Sequence, residues 1–96
     1  SGAIQPIKEI SEIAKKYSIP FHSDGAQAIG KAEVNVRELG VDYFTFSAHK
    51  FHGPKGVGAL YVKEGAPYVN LIHGGNQMGG KRGGSVYLNG IIGMAE

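Results

Sequence analysis

Ninety-six residues allow one domain with a thin core, because a chain of this size buries only about two-thirds of its unfolded surface. Ten Lys and Arg against eight Asp and Glu give a net charge of +2 with no long run of either sign, which argues against nucleic-acid and membrane-surface partners and leaves a small anion as the expected one. The absence of Cys excludes a disulfide framework, a thiolate metal site and a cysteine nucleophile from these residues, and no apolar run approaches the ~20 residues of a membrane span, so a soluble, cytoplasmic protein is expected.

Ser1 and Gly2 make a loose start. Pro6 suits a first helical position, and Ile7, Ile10, Ile13, Ala14 and Tyr17 recur at helical spacing, with Lys8, Glu9, Glu12, Lys15 and Lys16 on the other face. This predicts a helix over 6–17 covering a sheet. Ser18-Ile19-Pro20 ends it, because a proline biases the preceding residue away from helix. A short strand over 20–23 follows and stops at Asp24. The loop Asp24-Gly25-Ala26-Gln27-Ala28-Ile29-Gly30 comes next, and by itself an Asp after a strand reads as a cap or turn former. Residues 31–40 form the crossover, with Asn35-Val36-Arg37-Glu38-Leu39-Gly40 as a helical turn closed by glycine.

Asp42, Tyr43, Phe44, Thr45 and Phe46 read as a buried strand over 42–47 that empties into Ser47, His49 and Lys50. A hydroxyl, an imidazole and a primary amine at a strand end can bind phosphate and offer a nucleophile, since ligands gather outside the carboxyl ends of parallel strands. If the strands over 20–23 and 42–47 lie side by side in parallel, Asp24 lands beside Lys50. Glycines and Pro54 then turn the chain sharply into a strand over 58–62, which the tight turn allows to run antiparallel. His49 and His52 are three apart, but no third ligand stands at a useful spacing, so no metal site is expected. His22 reads as a satisfied, partly buried histidine.

After Glu64-Gly65-Ala66-Pro67, a turn, Val69-Asn70-Leu71-Ile72 is expected as a short strand. Eight of the sixteen glycines fall between Gly74 and Gly93, in a stretch too poor in apolar residues to pack on itself. Gly75 to Arg82 narrowly misses a nucleotide phosphate loop, because Arg82 stands where Ser or Thr must bind magnesium. Leu88 to Ala95 reads as the first turns of a helix whose small residues suit close packing against another helix. The organisation expected is a best-defined α/β core over 1–62 and a glycine-rich segment with the start of a helix over 63–96. With no initiator Met and an end inside a helix, the chain is expected to be a fragment.

Ser47-Ala48-His49-Lys50, the run Gly53-Pro54-Lys55-Gly56-Val57-Gly58-Ala59-Leu60-Tyr61-Val62 and His22-Ser23-Asp24-Gly25-Ala26-Gln27-Ala28 together resemble the cysteine desulfurase and selenocysteine lyase family of pyridoxal-phosphate enzymes. The resemblance implies the middle of the large cofactor-binding domain of a fold-type-I enzyme: a three-layer α/β fragment with a mostly parallel sheet and flanking helices. It implies that Lys50 forms the Schiff base with the cofactor aldehyde and then serves as acid or base, that Asp24 keeps the ring nitrogen protonated, and that Gln27 donates to the phenolic oxygen. Ser47 and His49 would hold the phosphate. Gly74-Gly75-Asn76-Gln77 and Arg82-Gly83-Gly84-Ser85 resemble the family's glycine-rich segment, so Ser85 would reach the cofactor phosphate of the partner in a homodimer. Met78 departs from a common acidic residue, Ser85 from threonine and Tyr87 from asparagine.

The activity implied is removal of sulfur from L-cysteine, giving L-alanine and a persulfide for a sulfur-acceptor or scaffold protein in iron–sulfur cluster assembly or another transfer pathway. The cysteine that carries the persulfide is not among these residues, so the chain alone is expected to be inactive. A selenocysteine lyase or another class-V aminotransferase shares the same Asp and Lys. A non-catalytic α/β module is the alternative from a different class, and without the resemblance Lys50 is an ordinary solvated turn lysine.

Overall fold

The computed structural model describes residues 2–96. Helix α1 spans Ile7–Lys16, with Glu9 in its first turn and Lys15 and Lys16 in its last, a charge order that suits the helix dipole. Its N-terminal neighbour Pro6 makes no side-chain cap. The apolar stripe expected to cover the sheet does not do so. The buried positions are Ser11 and Ala14, while Ile13 and Tyr17 are 60% and 64% exposed. Ser11 Oγ donates to the Gly40 carbonyl at 2.8 Å, and a Cβ on Gly40 would meet that hydroxyl at 2.7 Å. The helix therefore closes against the end of the crossover by its small, polar edge.

Strand β1, His22–Asp24, enters a short crossover that contains α2, Val36–Leu39. Asn35 caps α2 by accepting from the amides of Arg37 and Glu38, and Gly40 ends it in the left-handed conformation at φ 71°. Strand β2, Tyr43–Ser47, pairs in parallel with β1, with Asp24 opposite Thr45. Strand β3, Gly58–Val62, pairs antiparallel with β2, with Gly58 opposite Ser47. The sheet is thus mixed, in the order β1-β2-β3, because the turn after Lys50 is too short for a parallel return. Asp42 ties its lower end together: Oδ2 accepts from Phe21 N at 3.0 Å and Oδ1 pairs with Lys63 at 3.4 Å.

The register divides the side chains between two faces. His22, Asp24, Tyr43, Thr45 and Ser47 share one, and the 3.1 Å contact between His22 Nε2 and Thr45 Oγ1 lies on it. His22 is satisfied by that bond but exposed rather than partly buried. Phe44 and Phe46 point to the other face, with their ring centroids 6.5 Å apart. Val41, Phe44 and Ala48, at 1%, 3% and 0% exposure, form the dry centre.

Beyond β3 the segment Val69 to Ile72 forms no strand. Among the described residues it has no neighbouring strand to pair with, and Val69 and Leu71 are 87% and 90% exposed. Cross-links to the glycine-rich stretch hold it instead: Gly83 N donates to Ile72 O at 2.9 Å, Asn70 Nδ2 to Gly80 O at 2.6 Å and Tyr68 Oη to Lys81 O at 3.0 Å. A 3-10 turn at Gln77–Gly80 contains Met78 and Gly79 in left-handed backbone, which the sequence did not signal. Helix α3 spans Leu88–Ala95. Gly93 faces Pro54, where a Cβ would lie 3.1 Å from Cγ, and Gly90 lies under the ring of Tyr87. Among the described residues, no helix is long and apolar enough to cross a membrane.

Candidate active site at the ends of β1 and β2

Both polar clusters sit at the carboxyl end of the one parallel strand pair. Asp24 ends β1, and Ser47 ends β2 two residues beyond the partner of Asp24. A 3-10 turn, Ala48–Lys50, then carries His49 and Lys50 over the strand ends. Ala48 fixes this turn: its amide donates to Val57 O at 3.1 Å, and its carbonyl accepts from Phe51 N at 3.0 Å and Gly53 N at 2.9 Å. Because the alanine side chain is wholly buried, Lys50 stands on a rigid base while remaining half-exposed itself. His49 is exposed and Ser47 half-buried.

The loop after Asp24 is held down by two glycines. Gly25 N donates to Thr45 O at 2.8 Å, extending the parallel ladder, and the residue lies directly on the ring of Phe44. At the other end Gly30, at φ 74°, comes so close to Phe51 that a Cβ would lie 3.1 Å from Phe51 Cβ. Phe51 meets Phe46 in turn, with the rings tilted at 53° and their centroids 6.1 Å apart. The loop 24–30 therefore rests on the same aromatic layer that supports the Lys50 turn.

Asp24 Oδ1 accepts from Ala26 N at 2.8 Å, the Asx turn that an Asp after a strand ordinarily forms. Oδ2 has no protein partner among the described residues, so the carboxylate keeps one oxygen for a ligand. Gln27 is exposed, and its Oε1 accepts from Lys31 Nζ at 2.9 Å. Asp24, Gln27, Ser47, His49 and Lys50 are thus gathered on two adjoining turns. Ser85 is exposed in the segment before α3, on neither of these turns.

Two positions that shape the site carried only weak sequence signals. Gly25 stood in the sequence only as a member of the loop after Asp24, although in the structure it lies against the ring of Phe44. Lys31 read as the start of the crossover, although it is the partner of Gln27.

The arrangement is an α/β fold in which a turn bearing Lys50 and a loop beginning at Asp24 follow the carboxyl ends of two parallel neighbouring strands. The model of the aminotransferase class-V family matches residues 1–90, and the chain belongs to that family. It is 56% identical over 95 residues to the cysteine desulfurase IscS of Dictyoglomus turgidum, a match that covers 99% of this chain and 24% of that protein. Among solved structures, a NifS-like protein superposes with a TM-score of 0.93 at 48% identity, over 98% of this chain and 26% of its own. SspA in complex with cysteine superposes with a TM-score of 0.91 at 43% identity, over 97% and 27% respectively. The chain therefore spans about a quarter of the length of these relatives.

Proposed function

We propose that these residues are the central cofactor-binding segment of a pyridoxal-phosphate-dependent cysteine desulfurase, which takes sulfur from L-cysteine and leaves L-alanine. The observation that carries this reading is the convergence of Asp24 and the Ser47–Lys50 turn at one end of a parallel strand pair. The likeness to SspA in complex with cysteine supports the substrate class.

The donor set fits the cofactor. Asp24 has a free carboxylate oxygen for a protonated ring nitrogen, and Gln27 has an amide NH2 for the phenolic oxygen. The Ser47 hydroxyl and His49 imidazole suit a phosphate, and the Lys50 amine is the nucleophile toward an aldehyde. When bound, pyridoxal phosphate supplies an electron sink for the charge left on the substrate carbon. Lys50 Nζ is the group placed to take and return the proton at the substrate Cα. Asp24 acts by keeping a positive charge opposite its carboxylate. Ser85 would serve the phosphate of a second subunit in a homodimer. With no cysteine among the 96 residues, the thiol that receives sulfur and hands it to an acceptor protein belongs to another part of the enzyme.

The test is product analysis with the whole enzyme. Equal release of alanine and sulfur from L-cysteine, abolished in Lys50→Ala, is expected. Conversion of amino donors to keto acids without release of sulfur would contradict the reading and point to an aminotransferase of the same family.

A further inference from the structure

We propose that Lys31 is a positioning residue that decides which end of the Gln27 amide faces the cofactor; this rests on the role given to Gln27 above. Lys31 Nζ lies 2.9 Å from Gln27 Oε1. An ammonium group has only donors, so its partner must be the carbonyl oxygen of the amide and cannot be the nitrogen. The orientation of the amide thus follows from the chemistry of its neighbour. With Oε1 held, the NH2 end remains for a ligand oxygen that carries negative charge.

The backbone brings the two residues together. Ala28 N and Ile29 N donate to Gly25 O, and Lys31 N and Ala32 N to Ala28 O, which coils the segment so that residues 27 and 31 share one side. Gly30, next to Lys31, rests on Phe51 beside Lys50. The lysine is therefore anchored to the same support as the catalytic turn. Without it the terminal amide torsion is broad and close to two-fold, and one of its two orientations would present a carbonyl oxygen to an anionic oxygen. The ammonium also polarises the amide, strengthening donation from its far end.

The experiment titrates the apo form of the whole enzyme with pyridoxal phosphate and records the visible spectrum of each saturated protein. Lys31→Met is expected to weaken binding about three- to ten-fold, the scale of one lost hydrogen bond, and to shift the absorption maximum. Lys31→Arg, which keeps a donor, restores both. In the Gln27→Leu background Lys31→Met has no further effect. An equal loss on adding Lys31→Met in both backgrounds overturns the proposal, since Lys31 would then act without Gln27. If Gln27→Leu alone changes neither affinity nor spectrum, the role of Gln27 falls first, and the proposal falls with it.

Discussion

Gly25 lies flat against the ring of Phe44, so closely that any side chain at position 25 would enter the ring. The contact joins the two halves of the candidate site, because Gly25 follows Asp24 and Phe44 leads to Ser47 along β2. Gly25→Val is expected to cost about 1–3 kcal/mol, the usual scale of overpacking. In a Phe44→Leu background the added cost should shrink, because the ring that blocks the side chain is gone. Urea unfolding of the four proteins measures both, and equal costs in the two backgrounds would contradict the contact.

His52, two residues after Lys50, adopts φ 71°, and Met78 adopts φ 51°. Left-handed backbone costs a residue with a side chain roughly 1–2 kcal/mol, while glycine gives back about 0.5–1 kcal/mol in chain entropy. His52→Gly and Met78→Gly should each be neutral to stabilising by up to about 1 kcal/mol in denaturant midpoint. A loss of stability in either would mean that its side chain makes a contact outweighing the strain.

The crossover between β1 and β2 depends on one cap. Asn35 Oδ1 accepts from Arg37 N at 3.1 Å, and its Nδ2 donates to Glu38 Oε1 at 2.7 Å. Asn35→Ala is expected to cost about 1 kcal/mol, and Asn35→Asp to retain most of the stability. Hydrogen exchange at residues 36–40 would show whether the loss is confined to the crossover.

Gly93 brings α3 onto Pro54, in the turn that follows Lys50. At 3.1 Å from Pro54 Cγ, a methyl group needs only a small adjustment, whereas Gly93→Leu must push the helix away. Gly93→Ala should therefore be mild and Gly93→Leu destabilising by about 1–3 kcal/mol, read from thermal unfolding. Equal effects would mean that α3 moves freely over the turn.

Much of the fold, and the placing of the polar groups at strand ends, could be read from the chain because the signals were local. The apolar run from Tyr43 to Phe46, its abrupt end at Ser47, and Asn35 with Gly40 around a helical turn each require only neighbouring residues to form what they form. The pairing of β1 with β2 followed from the crossover between them. The features that escaped depend on distant contacts. The stripe of α1 suggested a sheet-facing helix, while among the described residues Ser11 and Ala14 are the buried positions of α1 and Ser11 bonds to Gly40. Val69 to Ile72 has strand-forming residues and no strand to pair with. The glycines of α3 suggested a helix partner; among the described residues Gly93 meets Pro54 and Gly90 the ring of Tyr87. The tie between Lys31 and Gln27 has ordinary helical spacing and stands out only beside a ligand site.

The central claim is that the Lys50 amine is the cofactor's point of attachment, and reduction tests it most directly. The whole enzyme, saturated with pyridoxal phosphate, is treated with borohydride, digested and mapped by mass spectrometry, beside Lys50→Ala. The account predicts a reduced pyridoxyl group on the peptide bearing Lys50, with loss of the visible band, and no pyridoxyl-labelled peptide in the variant. Label on another lysine, or an unchanged band and unlabelled Lys50 in a folded, cofactor-saturated enzyme, would contradict it.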